Sequence, residues 1–175
     1  MVVNNKNQPT WSISLWDYSV KIYGFKEVKK SCLKLQDEYH ANVAIILWCC
    51  WLNSEGITLP QSVMDEALIN IDTVNQTTLL KLRSVRRSVE GTGAFTSDQA
   101  KVINRQVLNI ELMIEKVLLY RLQDLTRRFI DLPLLSETPV TLSYYLQFIN
   151  IESASEEAEK LQQLCNLRSV VVDDL

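Results

Sequence analysis

Two glutamates on the longest predicted helix are the residues whose position most suggests chemistry. When this helix is drawn as a wheel, Glu111 and Glu115 fall one turn apart inside a wide apolar arc. Burying an unpaired carboxylate costs several kcal/mol, so both side chains need cationic partners or a water-filled pocket. The preceding helix offers Arg86, with Arg83 beside it, and a short glycine-containing turn predicts that the two helices are antiparallel neighbours.

We weigh two interpretations of this group of charges. The first, which we favour, is a structural network of ion pairs that fixes the register of the two helices. The second is the polar floor of a pocket, in which the glutamates and arginines hold a small polar molecule. A metal held by Glu111 and Glu115 is disfavoured because no histidine accompanies them, and we expect neither a metal nor a cofactor.

A further acidic group lies near the end of an earlier helix. The segment "KLQDEYH" places Asp37 and Glu38 close to His40, the single histidine of the chain. Asp37 could contact His40 three residues later, and we keep Asp37 as a candidate member of the buried polar group. A solvated face is nevertheless the natural interpretation, because the apolar stripe of this helix lies on its other side. The stripe consists of Val28, Cys32, Leu35 and Tyr39.

Familiar catalytic and nucleotide-binding patterns are absent from the sequence. One histidine cannot supply the paired Glu-x-x-His motifs of a di-iron bundle, and neither H-E-x-x-H nor G-x-S-x-G occurs. The glycines of "EGTGAF" follow a predicted helix instead of a strand, which argues against a dinucleotide site. A basic run of Lys81, Arg83, Arg86 and Arg87 winds around its helix, so we expect a role in the fold before nucleic-acid binding.

Composition predicts the fold class. The chain of 175 residues is 47% hydrophobic and 22% charged, and it contains only four glycines and four prolines. Such scarce turn residues predict an all-α fold, a single compact domain of six to eight helices with an apolar central helix and one long helix. The net charge of −3 supplies no field that would recruit nucleic acid or an acidic membrane.

Cysteine usage and hydropathy predict a cytoplasmic protein. The N-terminal segment lacks the apolar core of a signal peptide, and the longest apolar stretch, 43–52, is shorter than the ~20 residues of a membrane span. The four cysteines form no C-x-x-C pair, so we expect reduced thiols.

The predicted elements divide into a leader over 1–11, a helical core over 12–132 and a C-terminal helical extension over 133–175 that packs on or near the core. Helices are expected from Ser12 or Ser14 to Tyr23, with a buried stripe of Trp16, Val20 and Tyr23, and then over 26–39. Asn42 caps a central helix over 43–54, which Gly56 ends. The remaining helices are expected after Pro60 up to a kink or break over 74–78, then over 78–90, 97–130, 140–149 and 153–167, with a loose tail "VVVDDL".

Four segments carry a family resemblance: "WDYSVKIY", "CLKLQDEYHANVAIILWCCWL", "LLKLRSVRR" and "IELMIEK". Over roughly 14–122 the chain resembles a small bacterial all-helical family known as a domain of unknown function. The shared motifs are Trp16-Asp17, Leu35-Gln36-Asp37, Trp51-Leu52, Leu82-Arg83 with Arg86, and Glu111 with Glu115. Where the family often has Asp-Val-Asn, this chain has Asn42-Val43-Ala44 and lacks one polar position. The resemblance implies a compact helical fold and no particular activity.

The leading functional hypothesis is a non-enzymatic accessory or protein-interaction module with an unidentified protein partner, because catalytic motifs are absent. The alternative is a small-molecule binding protein or enzyme with a Glu/Arg-lined pocket between the fifth and sixth helices. A weaker alternative is a nucleic-acid-linked regulator that uses the basic run from Lys81 to Arg87. A ligand-sized cavity touching Glu111 and Glu115 would favour the pocket, and a closed, fully paired cluster would favour the structural network.

Overall fold

The protein is all-α, and the computed structural model describes residues 11–130 and 141–170. In these ranges eight α-helices and one π-helical segment are present, which confirms the predicted fold class. They are α1 (Leu15–Tyr23), α2 (Lys26–Tyr39), α3 (Val43–Ser54), α4 (Gln61–Val74), the π segment (Asn75–Leu79), α5 (Leu80–Gly91), α6 (Ser97–Phe129), α7 (Leu142–Phe148) and α8 (Ala154–Val170).

Helix α3 is central, as its apolar circumference predicts. The side-chain oxygen of Asn42 accepts hydrogen bonds from the backbone N–H groups of Ala44 at 2.9 Å and Ile45 at 3.4 Å. Every residue from Ala44 to Leu52 is buried. Gly56 follows the helix with a φ of 64°, a left-handed conformation that suits glycine and lets the chain reverse.

Helix α6 is central over only part of its length. Its C-terminal half buries Leu118, Leu122 and Leu125 in the core that α3 also enters. Its N-terminal half packs on α5, and several members of the predicted apolar arc there face solvent. Leu108 is 42% exposed and Ile110 is 46% exposed. The apolar arc therefore correctly predicted that α6 enters the core, but it did not show how much of the helix other helices cover.

Two predicted apolar stripes are partly wrong. Val20 of α1 is 55% exposed, because α1 turns a different face, including Tyr18 and Ile22, into the core. The buried stripe of α2 contains Val28, Cys32 and Leu35 but omits Tyr39, which is 39% exposed. Tyr39 ends α2, and the next residue takes a left-handed conformation that turns the chain away.

The break predicted over 74–78 is a π-helical segment, so the backbone stays helical from Gln61 to Gly91. Its winding is wider than that of an α-helix, and the N–H of Leu80 donates to the carbonyl of Asn75 five residues earlier. The threonine hydroxyl of Thr77 donates to the carbonyl of Thr73 at 2.6 Å, which satisfies the local backbone without interrupting the helix. Helix α5 consequently begins at Leu80, two residues later than predicted.

The C-terminal helices share the same core. Leu142 and Leu146 of α7 and Leu161 of α8 belong to the buried cluster that includes α3. The hydroxyl oxygen of Tyr145 accepts a 2.7 Å hydrogen bond from the backbone N–H of Asn42, which ties α7 to the start of α3. Three predicted features lie wholly or mostly outside the described residues: the leader, the linker around Pro133 and Pro139, and the final tail.

The sequence predicted that no segment spans a membrane and that the cysteines are reduced. Across residues 11–130 and 141–170, no helix has both the length and the apolarity needed to cross a membrane. All four cysteines are free and buried. The same described ranges contain no group of His, Cys, Asp and Glu side chains that could hold a metal ion.

Candidate functional site

Glu111, the most buried acid in the ion pairs of the described residues, links α6 to α5. Glu111 is buried, with 4% of its side chain exposed. Arg86 donates to both carboxylate oxygens, from Nε at 3.1 Å and from a terminal guanidinium nitrogen at 3.3 Å. This two-point contact satisfies the buried carboxylate and fixes the rotation of both helices.

A second pair lies one turn along the same interface. Arg83 donates to Glu115 at 2.9 Å, and its Nε lies 3.9 Å from the carboxylate of Glu111. The four side chains form an alternating group, which we call the α5–α6 quartet: Arg83, Arg86, Glu111 and Glu115. The sequence predicted these residues to meet, and the short connection between antiparallel helices brings them together.

The fifth predicted site residue lies elsewhere. Asp37 is exposed on α2 and does not join the quartet. His40 is also exposed, with a left-handed φ of 57° at the end of α2. Of the basic run on α5, Arg83 and Arg86 are committed to carboxylates, whereas Lys81 and Arg87 are exposed.

An open cavity of about 380 Å³ adjoins one end of the quartet. Arg83 and Glu115 lie on its wall, whereas Glu111 does not. We call it the α1–α6 cavity, because α1 and α6 supply much of its apolar lining. The apolar residues on its wall include Trp16, Val20, Tyr23, Val43, Leu47, Leu79, Leu112, Leu118 and Leu119. Its size and its walls are typical of small-molecule sites.

Polar side chains that the sequence did not indicate also line the cavity. Ser19 is only 3% exposed, and its hydroxyl has no hydrogen-bond partner among the described residues. Asn75, 7% exposed, comes from the first turn of the π segment. Gln36 and Asn42 complete this polar group. The irregular "VNQTT" segment was a usable signal, since π-helical turns occur frequently at functional sites.

Burial shifts the pKa values of two groups on the cavity wall. It raises the pKa of Glu115, and the neighbouring Arg83 guanidinium opposes that shift only in part. It also raises the pKa of Tyr23 to about 12, so the phenol stays neutral and remains a donor. The wall therefore holds the neutral phenol of Tyr23 and the Arg83–Glu115 pair, in which the carboxyl of Glu115 has a raised pKa.

A separate group of buried thiols links α3 to α8. A hydrogen bond with Cys165, together with burial, raises the pKa of Cys50, and the same bond lowers the pKa of Cys165. Burial raises the pKa of Cys32 to about 12. These groups are 3% exposed or less and lie outside the lining of the α1–α6 cavity.

Comparison with known proteins gives a family. Residues 14–122 match the model of a family described as "Protein of unknown function (DUF2390)". The chain belongs to that family. No curated protein and no solved structure matches the chain. All four residues of the quartet, and every residue that lines the α1–α6 cavity, fall within the part of the chain that the family model covers.

Proposed function

We propose that this protein binds a small, largely apolar molecule in the α1–α6 cavity. The supporting observation is a ligand-sized space whose apolar walls contain a buried hydroxyl, Ser19, without a partner among the described residues. A buried polar group left unpaired is costly, and a ligand that supplies the missing hydrogen bond would remove that cost. Asn75 and Gln36 offer further hydrogen bonds to the same molecule.

The two glutamates of the α5–α6 quartet suit different interpretations, one structural and one in binding. Glu111 is closed off and held by Arg86, which suits a structural ion pair. Glu115 has 34% of its side chain exposed and reaches the cavity wall, which suits a role in binding. We therefore assign the fixing of helix register to Glu111 and contact with the ligand to the neighbourhood of Glu115.

Binding can be tested with a library of small molecules that each combine an apolar body with one polar group. We expect members of the library to shift the amide NMR signals of Ser19, Asn75 and Leu118. Val20→Trp should fill the mouth of the cavity and weaken these compounds about tenfold or more. Val102→Trp is the matched control, because Val102 is 61% exposed on α6 and lies outside the cavity lining, whereas Val20 is 55% exposed.

Either of two results would contradict the proposal. The first is that no compound gives saturable shifts at the cavity residues. The second is that Val20→Trp and Val102→Trp bind the compounds equally well, which would move the binding site away from α1.

A second candidate function, the accessory or protein-interaction module, is supported by the exposed apolar side chains of α6. Val102, Ile110, Met113 and Val117 are each between 45% and 68% exposed on α6. Affinity capture from native lysate should recover a partner whose retention is lost in Met113→Asp and kept in Val20→Trp. Equal recovery by both variants would contradict this second function.

We infer a bacterial cytoplasm as the compartment. Support comes from four free, buried cysteines, which suit a reducing environment, and from the family resemblance described above. Nucleic-acid regulation is the weakest candidate, because two cations of the α5 run already pair with carboxylates.

A further inference from the structure

The charged groups around the α1–α6 cavity indicate what kind of ligand it takes, an inference that rests on the proposed function. Its lining includes two cations, Lys29 and Arg83, and one acid, Glu115, which leaves one net positive charge. A further cation lies beside the wall, since the ammonium of Lys116 is 4.5 Å from the ring centroid of Trp16. Glu111 also borders this space through its 3.9 Å approach to Arg83, so the cations exceed the acids by one, three against two, which favours an anionic ligand.

Arg83 retains capacity for another acceptor. Its 2.9 Å contact is with Glu115, and Arg86 already satisfies Glu111 with two hydrogen bonds. A guanidinium carries five N–H donors, so Arg83 can hold Glu115 and a second anionic group together. Because the side chain of Arg83 is only 16% exposed, such a contact is weakly screened by water.

The N-terminus of α3 also opens onto the cavity. Asn42, Val43 and Ala44, the cap and first two residues of this helix, all contribute to the lining. The positive end of the helix dipole attracts negative charge over its first turn. Ser19 belongs to the same lining and is independent of the helix; its buried hydroxyl has no partner among the described residues and can donate to an anion.

We propose that the ligand is an anion, a molecule with an apolar body and a single carboxylate. The carboxylate would accept hydrogen bonds from Ser19 and the amide of Asn75 near the start of α3, within the field of Arg83. The same dipole and cations would repel an amine, and the acid on the wall, Glu115, is already paired with Arg83. A neutral alcohol would gain the hydrogen bonds without the attraction to these charges.

The test uses two matched series on the full chain: octanoate, octanol and octylamine, and the phenylpropyl acid, alcohol and amine. Titration calorimetry or NMR shifts give each dissociation constant. We expect each acid to bind about tenfold or more tighter than its alcohol, and the amine to bind more weakly than both. Equal or tighter binding of the alcohols or amines would overturn the carboxylate inference and leave the proposed function intact. Failure of all six compounds to bind would contradict both.

Two variants localise the contact. Ser19→Ala should weaken octanoate by about fivefold to tenfold, whereas Ser84→Ala, an exposed serine on α5, should leave it unchanged. Glu115→Gln should tighten octanoate, because Arg83 then lacks a competing carboxylate, and Glu38→Gln on the exposed face of α2 is its control. Weaker or equal octanoate binding in Glu115→Gln, or no effect of Ser19→Ala, would overturn the placement of the carboxylate.

Discussion

The indole Nε1 of Trp48 donates a 2.8 Å hydrogen bond to the hydroxyl oxygen of Thr126, and both side chains are fully buried. The hydroxyl of Thr126 in turn donates a 2.9 Å hydrogen bond to the carbonyl of Leu122. This chain of two bonds fastens the middle of α3 to the C-terminal half of α6. It also satisfies the indole N–H, which would otherwise be unpaired in the core.

Thr126→Val should lower the free energy of unfolding by about 1–3 kcal/mol, because it removes the acceptor for the Trp48 N–H without changing the side-chain shape. Urea unfolding followed by tryptophan fluorescence measures the change. Thr73→Val is the control, since Thr73 is exposed and should shift the midpoint little. Equal midpoints for Thr126→Val and the wild type would contradict a buried indole hydrogen bond.

Glu111→Ala should lower the free energy of unfolding by about 1–3 kcal/mol, since Arg86 then loses its carboxylate. The loss is limited because 37% of the Arg86 side chain is exposed and can turn toward water. Calorimetric melting of this variant is compared with that of Glu38→Ala, a surface substitution on α2. A melting temperature equal to that of Glu38→Ala would contradict the burial of Glu111.

Glu115 should make stability depend on pH in a defined direction. Burial raises its pKa above the 4.5 of an ordinary glutamate, so the folded chain keeps the proton to higher pH than the unfolded chain does. The associated stabilisation is present below the unfolded pKa and is lost as pH rises through the folded pKa. Over that window, urea midpoints should fall in the wild type relative to Glu115→Gln. Parallel profiles from about pH 4 to about pH 7 would refute a raised pKa.

The cysteines should react with iodoacetamide slowly and in a fixed order. All four are buried, so native labelling should be far slower than labelling in urea. Cys165 should label before Cys32, because the hydrogen bond from Cys50 lowers the pKa of Cys165, whereas burial raises that of Cys32 to about 12. Peptide mass spectrometry at successive times gives the order. Rapid native labelling of Cys32 would contradict its burial, and the urea-unfolded chain supplies the control rates.

Sequence reasoning succeeded where one segment carries its own signal. The apolar circumference of α3 required a central position, and the capping oxygen of Asn42 marked its start. The quartet was predictable because Arg83 and Arg86 precede Glu111 and Glu115 across a single short turn. Local spacing and loop length suffice for such a pair of neighbours.

The α1–α6 cavity could not be predicted in the same way. Its wall combines side chains as distant in sequence as Trp16, Asn75 and Leu119, and their meeting depends on tertiary packing. The spacing of Trp16, Val20 and Tyr23 predicted a buried stripe on α1, but Val20 is 55% exposed and all three residues line the cavity. That spacing could not distinguish a face pressed against the core from one that lines an open space.

The π segment lets the helix hold one extra residue without changing the direction in which α5 faces. Its hydrogen bond spans five residues instead of four, so Asn75–Leu79 takes up one residue more than an α-helical turn would. If the same residues wound as an ordinary α-helix, α5 would rotate by about 100° relative to α4, and Arg83 and Arg86 would turn away from α6. The orientation of the whole of α5 therefore depends on the backbone keeping this wider turn.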